Sequence, residues 1–163
     1  MPLNCETVAL APLADGALKR LSGFQNRQIA IRTSNTPVMA YCDPVLTQRI
    51  FENLLGNALK FTPEAGSIQM ELAEEALWAR FSIADTGPGI PAEYHAKVFE
   101  KFGQVEMRKE HKAPSSGLGL AFCKLAVEAQ RGTIQLESSP GRGSTFHVRL
   151  PRHALETSRA NAA

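Results

Sequence analysis

The sequence predicts an α/β (α+β) two-layer sandwich, a mixed and mostly antiparallel sheet with helices on one face. Segments such as Ser67 to Glu74 alternate apolar and polar residues, as strands with one buried and one solvated face do. Two longer segments, starting near Asp43 and near Gly117, instead repeat apolar residues at helical spacing. With 163 residues, 44% of them apolar, the chain is long enough for one well-cored domain and short for two.

Residues 5 to 41 read as a short strand, a helix from about Leu13 to Phe24, and strands at Gln28 to Thr33 and Val38 to Tyr41. Asp43-Pro44 then opens a helix, a carboxylate cap followed by proline where a missing N–H costs nothing. Leu46, Ile50, Leu54, Ala58 and Phe61 give it one buried stripe, and Pro63 biases Thr62 out of the helical region. In Ser67 to Glu74, Ile68, Met70 and Leu72 share a face. In the next strand, Leu77, Ala79, Phe81 and Ile83 share one with Asp85, which aims a carboxylate inward at the strand's end. A short helical stretch near Pro91 to Phe99 precedes residues 103 to 116, which are charged, poor in apolar residues and long enough to be a functional loop. The helix from about Gly117 to Gln130 is apolar at Leu118, Ala121, Phe122, Leu125 and Ala129, with Gly132 as its stop. Strands at Thr133 to Ser138 and Ser144 to Leu150 complete a domain expected to span 1–151. Residues 152–163 form a polar tail expected to be disordered.

A formal charge of +2 gives no reason to expect nucleic acid or an anionic membrane as partner, so any anion binding must be local. Cys5, Cys42 and Cys123 are widely spaced and odd in number, which argues against a disulfide framework or zinc site and for a reducing, cytoplasmic setting. No apolar run reaches membrane-spanning length. None of the four histidines has metal-ligand spacing with another, and a solvated surface position is the plainer reading for each.

Four short signatures could carry chemistry. In Asn53-Leu54-Leu55-Gly56-Asn57-Ala58-Leu59-Lys60, the residues Asn53, Asn57 and Lys60 fall on one helix face, setting two amide oxygens and an ammonium in line. Magnesium prefers hard oxygen ligands and is held by few protein groups beside substrate phosphates, although taken alone this is an ordinary solvated face. Asp85-Thr86-Gly87-Pro88-Gly89-Ile90 joins an inward acceptor to a turn whose glycines permit close approach; an Asp-initiated surface turn is the alternative. Ser116-Gly117-Leu118-Gly119-Leu120 opens a helix whose N–H groups and dipole suit phosphate oxygens, or is merely a flexible start. Gly141-Arg142-Gly143-Ser144-Thr145-Phe146 is by itself a tight strand connection, with Thr145 out of phase with Phe146, Val148 and Leu150.

In this order the four signatures resemble the N box and the three glycine boxes of the catalytic and ATP-binding domain of histidine kinases. That domain is a member of the GHKL superfamily with its Bergerat fold. Phe99-Glu100-Lys101-Phe102 is similar to that family's phenylalanine-containing box, and the likeness runs from about Cys5 to Leu150. The resemblance implies Asn57 as the magnesium ligand, Asn53 and Lys60 near the phosphates, and Asp85 on the adenine amine. It also implies Gly87, Gly89 and Ile90 around the base, Gly117, Leu118, Gly119 and Leu120 at the phosphates through their backbone, Thr145 near the adenine, and Phe102 and Ser116 among the ATP-binding residues. Thr86 and Ser115 depart from the residues usual in the family, without removing a group assigned to ATP.

The activity so implied is transfer of the γ-phosphoryl of ATP to a histidine on a separate helical dimerisation domain, with a response regulator downstream. No room for those helices precedes Cys5, so the chain is expected to be a monomeric catalytic fragment unable to phosphorylate itself, without membrane or nucleic-acid contact. Two alternatives stand beside it. A hydrolase of the same superfamily would carry a glutamate base four residues before Asn57, where this chain has Asn53; Glu52 points roughly 140° away from Asn57. A nucleotide-binding adaptor would dock without catalysis.

Overall fold

The computed structural model describes residues 2–21, 27–101, 103 and 118–154. Strand β1 (Glu6–Ala9) runs directly into helix α1 (Leu10–Arg20). The helix begins earlier than Leu13 because Pro12 is its third residue, and a first-turn N–H has no intrahelical acceptor to lose. Strands β2 (Gln28–Thr33) and β3 (Met39–Cys42) follow, then helix α2 (Pro44–Phe61). Asp43 Oδ1 accepts from the N–H groups of Val45 and Leu46 at 3.0 and 3.2 Å, and its Oδ2 accepts from Asn4 N–H at 3.0 Å. One carboxylate thus caps α2 and ties the chain before β1 to it.

Strands β4 (Ser67–Glu74) and β5 (Trp78–Asp85) lead through two short 3₁₀ turns, Ala92–Tyr94 and Lys97–Phe99, toward helix α3 (Gly119–Ala129). Strands β6 (Thr133–Ser138) and β7 (Ser144–Pro151) complete the described fold. The main sheet has the order β2-β4-β5-β7-β6, with β2 parallel to β4 and the other pairs antiparallel. β1 and β3 pair as a separate two-stranded sheet, where a single sheet was expected.

The core lies between the main sheet and the helices. Phe51 of α2 packs on Phe81 of β5 with ring centroids 4.2 Å apart, and both are fully buried. α2 is flanked by α1 and α3, so it buries Thr47, Phe51 and Leu55 besides the expected stripe; Phe61 is half-buried. The opposite sheet face is polar. There Arg80 and Arg149 are direct cross-strand neighbours, a repulsive pairing that Glu75 offsets by meeting Arg80 Nε at 3.0 Å and Arg149 Nε at 3.3 Å.

α3 buries Leu120, Ala121, Cys123, Ala126 and Val127, while Leu118 and Leu125 are exposed. The helix is apolar on more than one side, so periodicity alone did not fix its phase. Leu77 is also exposed, because it sits in the turn before β5, where its carbonyl accepts from Arg152 N–H at 3.1 Å. That contact, with those of the Arg152 guanidinium to Glu75 O and Ala76 O, carries ordered structure past residue 151. The cysteines are free thiols, and burial pushes Cys42 up to about 11. No helix among the described residues is long and apolar enough to cross a membrane.

Candidate functional site

The outward face of α2 forms one wall of the site. Asn53 Nδ2 donates to Arg49 O at 2.9 Å, one turn back, which orients its amide oxygen away from its own helix. A Cβ built on Gly119 would come within 2.8 Å of that oxygen, so glycine at 119 leaves the Asn53 amide where it is, against the start of α3. Asn57 follows one turn on, half-buried, with Nδ2 buried and without a hydrogen-bond partner among the described residues. Lys60 is exposed in the last turn. Glu52 turns to α1, its carboxylate 3.5 Å from Arg20.

The second wall is built around Asp85. Its Oδ1 accepts from Gly87 N–H at 2.9 Å, and the Ser144 N–H also bonds the carboxylate. Burial raises the Asp85 carboxyl above its ordinary value, and those two N–H groups pull it back down. Glycines allow this crowding. A Cβ on Gly87 would meet Phe61 O at 2.9 Å, and one on Gly143, whose φ is +74°, would fall 1.9 Å from Asp85 O. Gly89, at φ +78°, leaves no room for a Cβ against Ser139 O. Ile90 packs on the core, its carbonyl 2.8 Å from His95 Nε2. His95 is therefore engaged beside the site, and His147 is held by Ser82 and Glu137 at 2.7 and 3.0 Å; neither is a simple solvated histidine.

These contacts connect the signatures in one run: Gly119 to Asn53, Phe61 to Gly87, Gly87 to Asp85, Asp85 to Gly143 and Ser144. Leu120 is fully inside the core and can offer only backbone. Leu118, at the cap position of α3, has no side-chain acceptor, so none from that position competes for the helix's first N–H groups. Phe102, Ser116, Gly117 and residues 104 to 115 of the expected functional loop lie outside the described residues. Thr145 is not brought to this site. It stands opposite Ala84 on the other sheet face, while Ser144 pairs with Asp85 and is buried. Ser144 is thus the residue that sequence reasoning missed; β7 phase puts it on the core face with Phe146, but only the register sets it opposite Asp85.

The donor set suits magnesium and a nucleotide. Two amide side chains on one helix face supply hard oxygens for the cation, and the buried Asn57 Nδ2, a donor with no acceptor among the described residues, suits a phosphate oxygen.

Residues 42–154, more than half of the chain, match the family described as histidine kinase-, DNA gyrase B-, and HSP90-like ATPase. The chain is 42% identical over 158 residues to the circadian input-output histidine kinase CikA of Synechococcus elongatus, covering 94% of this chain and 21% of that protein. It is 37% identical over 134 residues to the sensor histidine kinase TmoS of Ectopseudomonas mendocina, covering 81% of this chain and 14% of the relative. The chain therefore spans about a fifth or less of either protein. Among solved structures, the mycobacterial sensor histidine kinase MprB superposes with a TM-score of 0.78 at 27% identity, covering 93% of this chain and 99% of the other. Full-length ShkA, solved in complex with AMPPNP, gives 0.78 at 28% identity, covering 93% of this chain and 32% of that one.

Proposed function

The chain belongs to the histidine kinase-, DNA gyrase B-, and HSP90-like ATPase family, in its histidine-kinase branch, and on that footing we propose that it transfers the γ-phosphoryl of ATP to a histidine on a separate helical domain. The observation that carries this reading is the contact of Gly119 with Asn53 on one side of α2 and of Gly87 with Phe61 at its end, which sets the phosphate-binding and base-binding signatures along one helix. Asp85 keeps acceptor capacity beyond its two backbone partners, and that capacity suits the exocyclic amine of adenine. Asn53 and Asn57 offer amide oxygens toward the phosphates, with Lys60 as a mobile positive charge at the helix end.

Asn57 is the residue we assign to magnesium, which when bound would neutralise charge on the β- and γ-phosphates. The bond between the γ-phosphorus and the β,γ-bridging oxygen breaks while the lone pair of a neutral imidazole nitrogen bonds to the γ-phosphorus, ADP leaves with the electron pair, and the proton on the other ring nitrogen is released to solvent afterwards. An imidazole attacking through its lone pair needs little help from a base. Positioning and electrostatics supply the rest. Water is the less suitable acceptor, since Glu52 is engaged with Arg20 and Asn53 is an amide whose nitrogen is bonded to Arg49 O.

A response regulator is the expected acceptor after the histidine, and we place the nucleotide-binding domain at residues 1–151. The test is to add a dimeric phosphoacceptor helical hairpin and γ-labelled ATP with magnesium. Acid-labile label on the hairpin, absent with Asn57→Ala, is expected; ATP binding without transfer would overturn the kinase reading, and steady phosphate release would point to hydrolysis.

A further inference from the structure

Ser138, the last residue of β6, belongs to none of the four signatures, yet its hydroxyl joins two of them. Ile90 N–H donates to Ser138 Oγ at 2.7 Å, and that oxygen lies 2.7 Å from Gly143 O and 2.8 Å from Ser144 Oγ. A carbonyl oxygen that close needs a proton between, and of that pair only the serine has one, so Ser138 O–H donates to Gly143 O. Ser144 O–H must then donate to Ser138 Oγ. All of the hydroxyl's capacity, one proton and two lone pairs, is used inside the protein.

The groups it holds are those that shape Asp85. Ser138 is the register partner of Ser144, whose N–H bonds the Asp85 carboxylate, and Gly143 packs against Asp85 O. The other described backbone bond across the two turns runs from Gly141 N–H to Pro88 O at 2.8 Å. Without the hydroxyl, Ile90 N–H and Gly143 O lose this partner, and the Gly141–Pro88 bond is left to hold the turn that follows Asp85 to the turn that precedes Ser144.

We propose that Ser138 is a positioning residue for adenine recognition, a hydroxyl pin that fixes the Asp85 carboxylate relative to the base by locking Ile90, Gly143 and Ser144 together. Its role rests on the cleft being an ATP site. Adenine presents an amine to a carboxylate where guanine presents a carbonyl oxygen. Discrimination between them depends on how firmly that acceptor is held, because the wrong base must not be relieved by a shift of the turn.

The test uses the whole chain with magnesium and either ATP or GTP, measuring affinity by calorimetry and exchange of the Ile90 amide by NMR. Ser138→Ala is expected to weaken ATP about tenfold, narrow the preference for ATP over GTP and speed Ile90 exchange, while Ser138→Thr, which keeps the hydroxyl, restores all of them. If the alanine variant does not fold, Ser138→Val set against Ser138→Thr decides the same question, since those side chains differ only in the hydroxyl. Faster Ile90 exchange with unchanged ATP affinity and selectivity would reduce Ser138 to a structural residue and overturn the proposal. A wild type that binds no ATP would overturn the reading of the cleft itself, and the pin with it.

Discussion

Asp85 is held by burial in a state that opposes its own charge. Its folded-state pKa lies above the ordinary carboxylate value, so the folded chain binds the proton more tightly than the unfolded one. The contribution of this group to stability is therefore fully present below the ordinary value and is lost as pH rises through the raised one. ATP affinity, which needs the carboxylate, should run the other way and weaken as pH falls through the same window. Scanning calorimetry of the apo protein and titration calorimetry with ATP across that window should show opposite slopes. Asp85→Asn should flatten both, raise the apo Tm at neutral pH by a few degrees and cost at least tenfold in ATP affinity. The inward aim of Asp85 was legible from strand phase alone. The acceptance of its neighbour's N–H was not, because that depends on which residue of another strand stands opposite, and one strand's alternation carries no register.

At the scale of elements, the glycines divide by what they touch. An alanine at 119 would meet only the end of the Asn53 side chain, which can swing away, and alanine suits a helix better than glycine. Gly119→Ala should therefore leave stability unchanged or raise it by up to about 1 kcal/mol, while lowering ATP affinity about tenfold through the displaced amide. Gly143→Ala meets backbone at a positive φ, and should cost about 2 kcal/mol or more of stability, with binding lost as a result. Denaturant titration beside nucleotide titration separates the two cases. Elements with an unambiguous local signal were readable: the Asp43-Pro44 start of α2 and both ends of β4 stand where the sequence put them. α3 was found but its face was only partly legible: Ala121 is buried and Phe122 packs on the core, whereas Leu118 and Leu125 are exposed, and only packing against α2 and the sheet chooses among so many apolar positions.

For the whole molecule, stability rests on the single layer of side chains between helices and sheet. Phe51→Ala removes a fully buried ring stacked on Phe81 and should cost about 3–5 kcal/mol, lowering Tm by roughly 10 °C in thermal unfolding. Magnesium and ATP should recover part of that loss in proportion to the logarithm of nucleotide concentration, because binding is confined to the folded state. The two-layer architecture was legible from alternation and helical spacing, whereas the separation of β1 and β3 into their own sheet was not, because both are four-residue strands whose pairing is decided at long range. That small sheet has a mechanical consequence. Asp43 acts as a coupling pin between β1 and α2, one carboxylate oxygen on the backbone of Asn4 and the other on the helix's first turn. A pull or twist applied ahead of β1 would therefore bear, through one side chain, on the helix that carries Asn53 and Asn57.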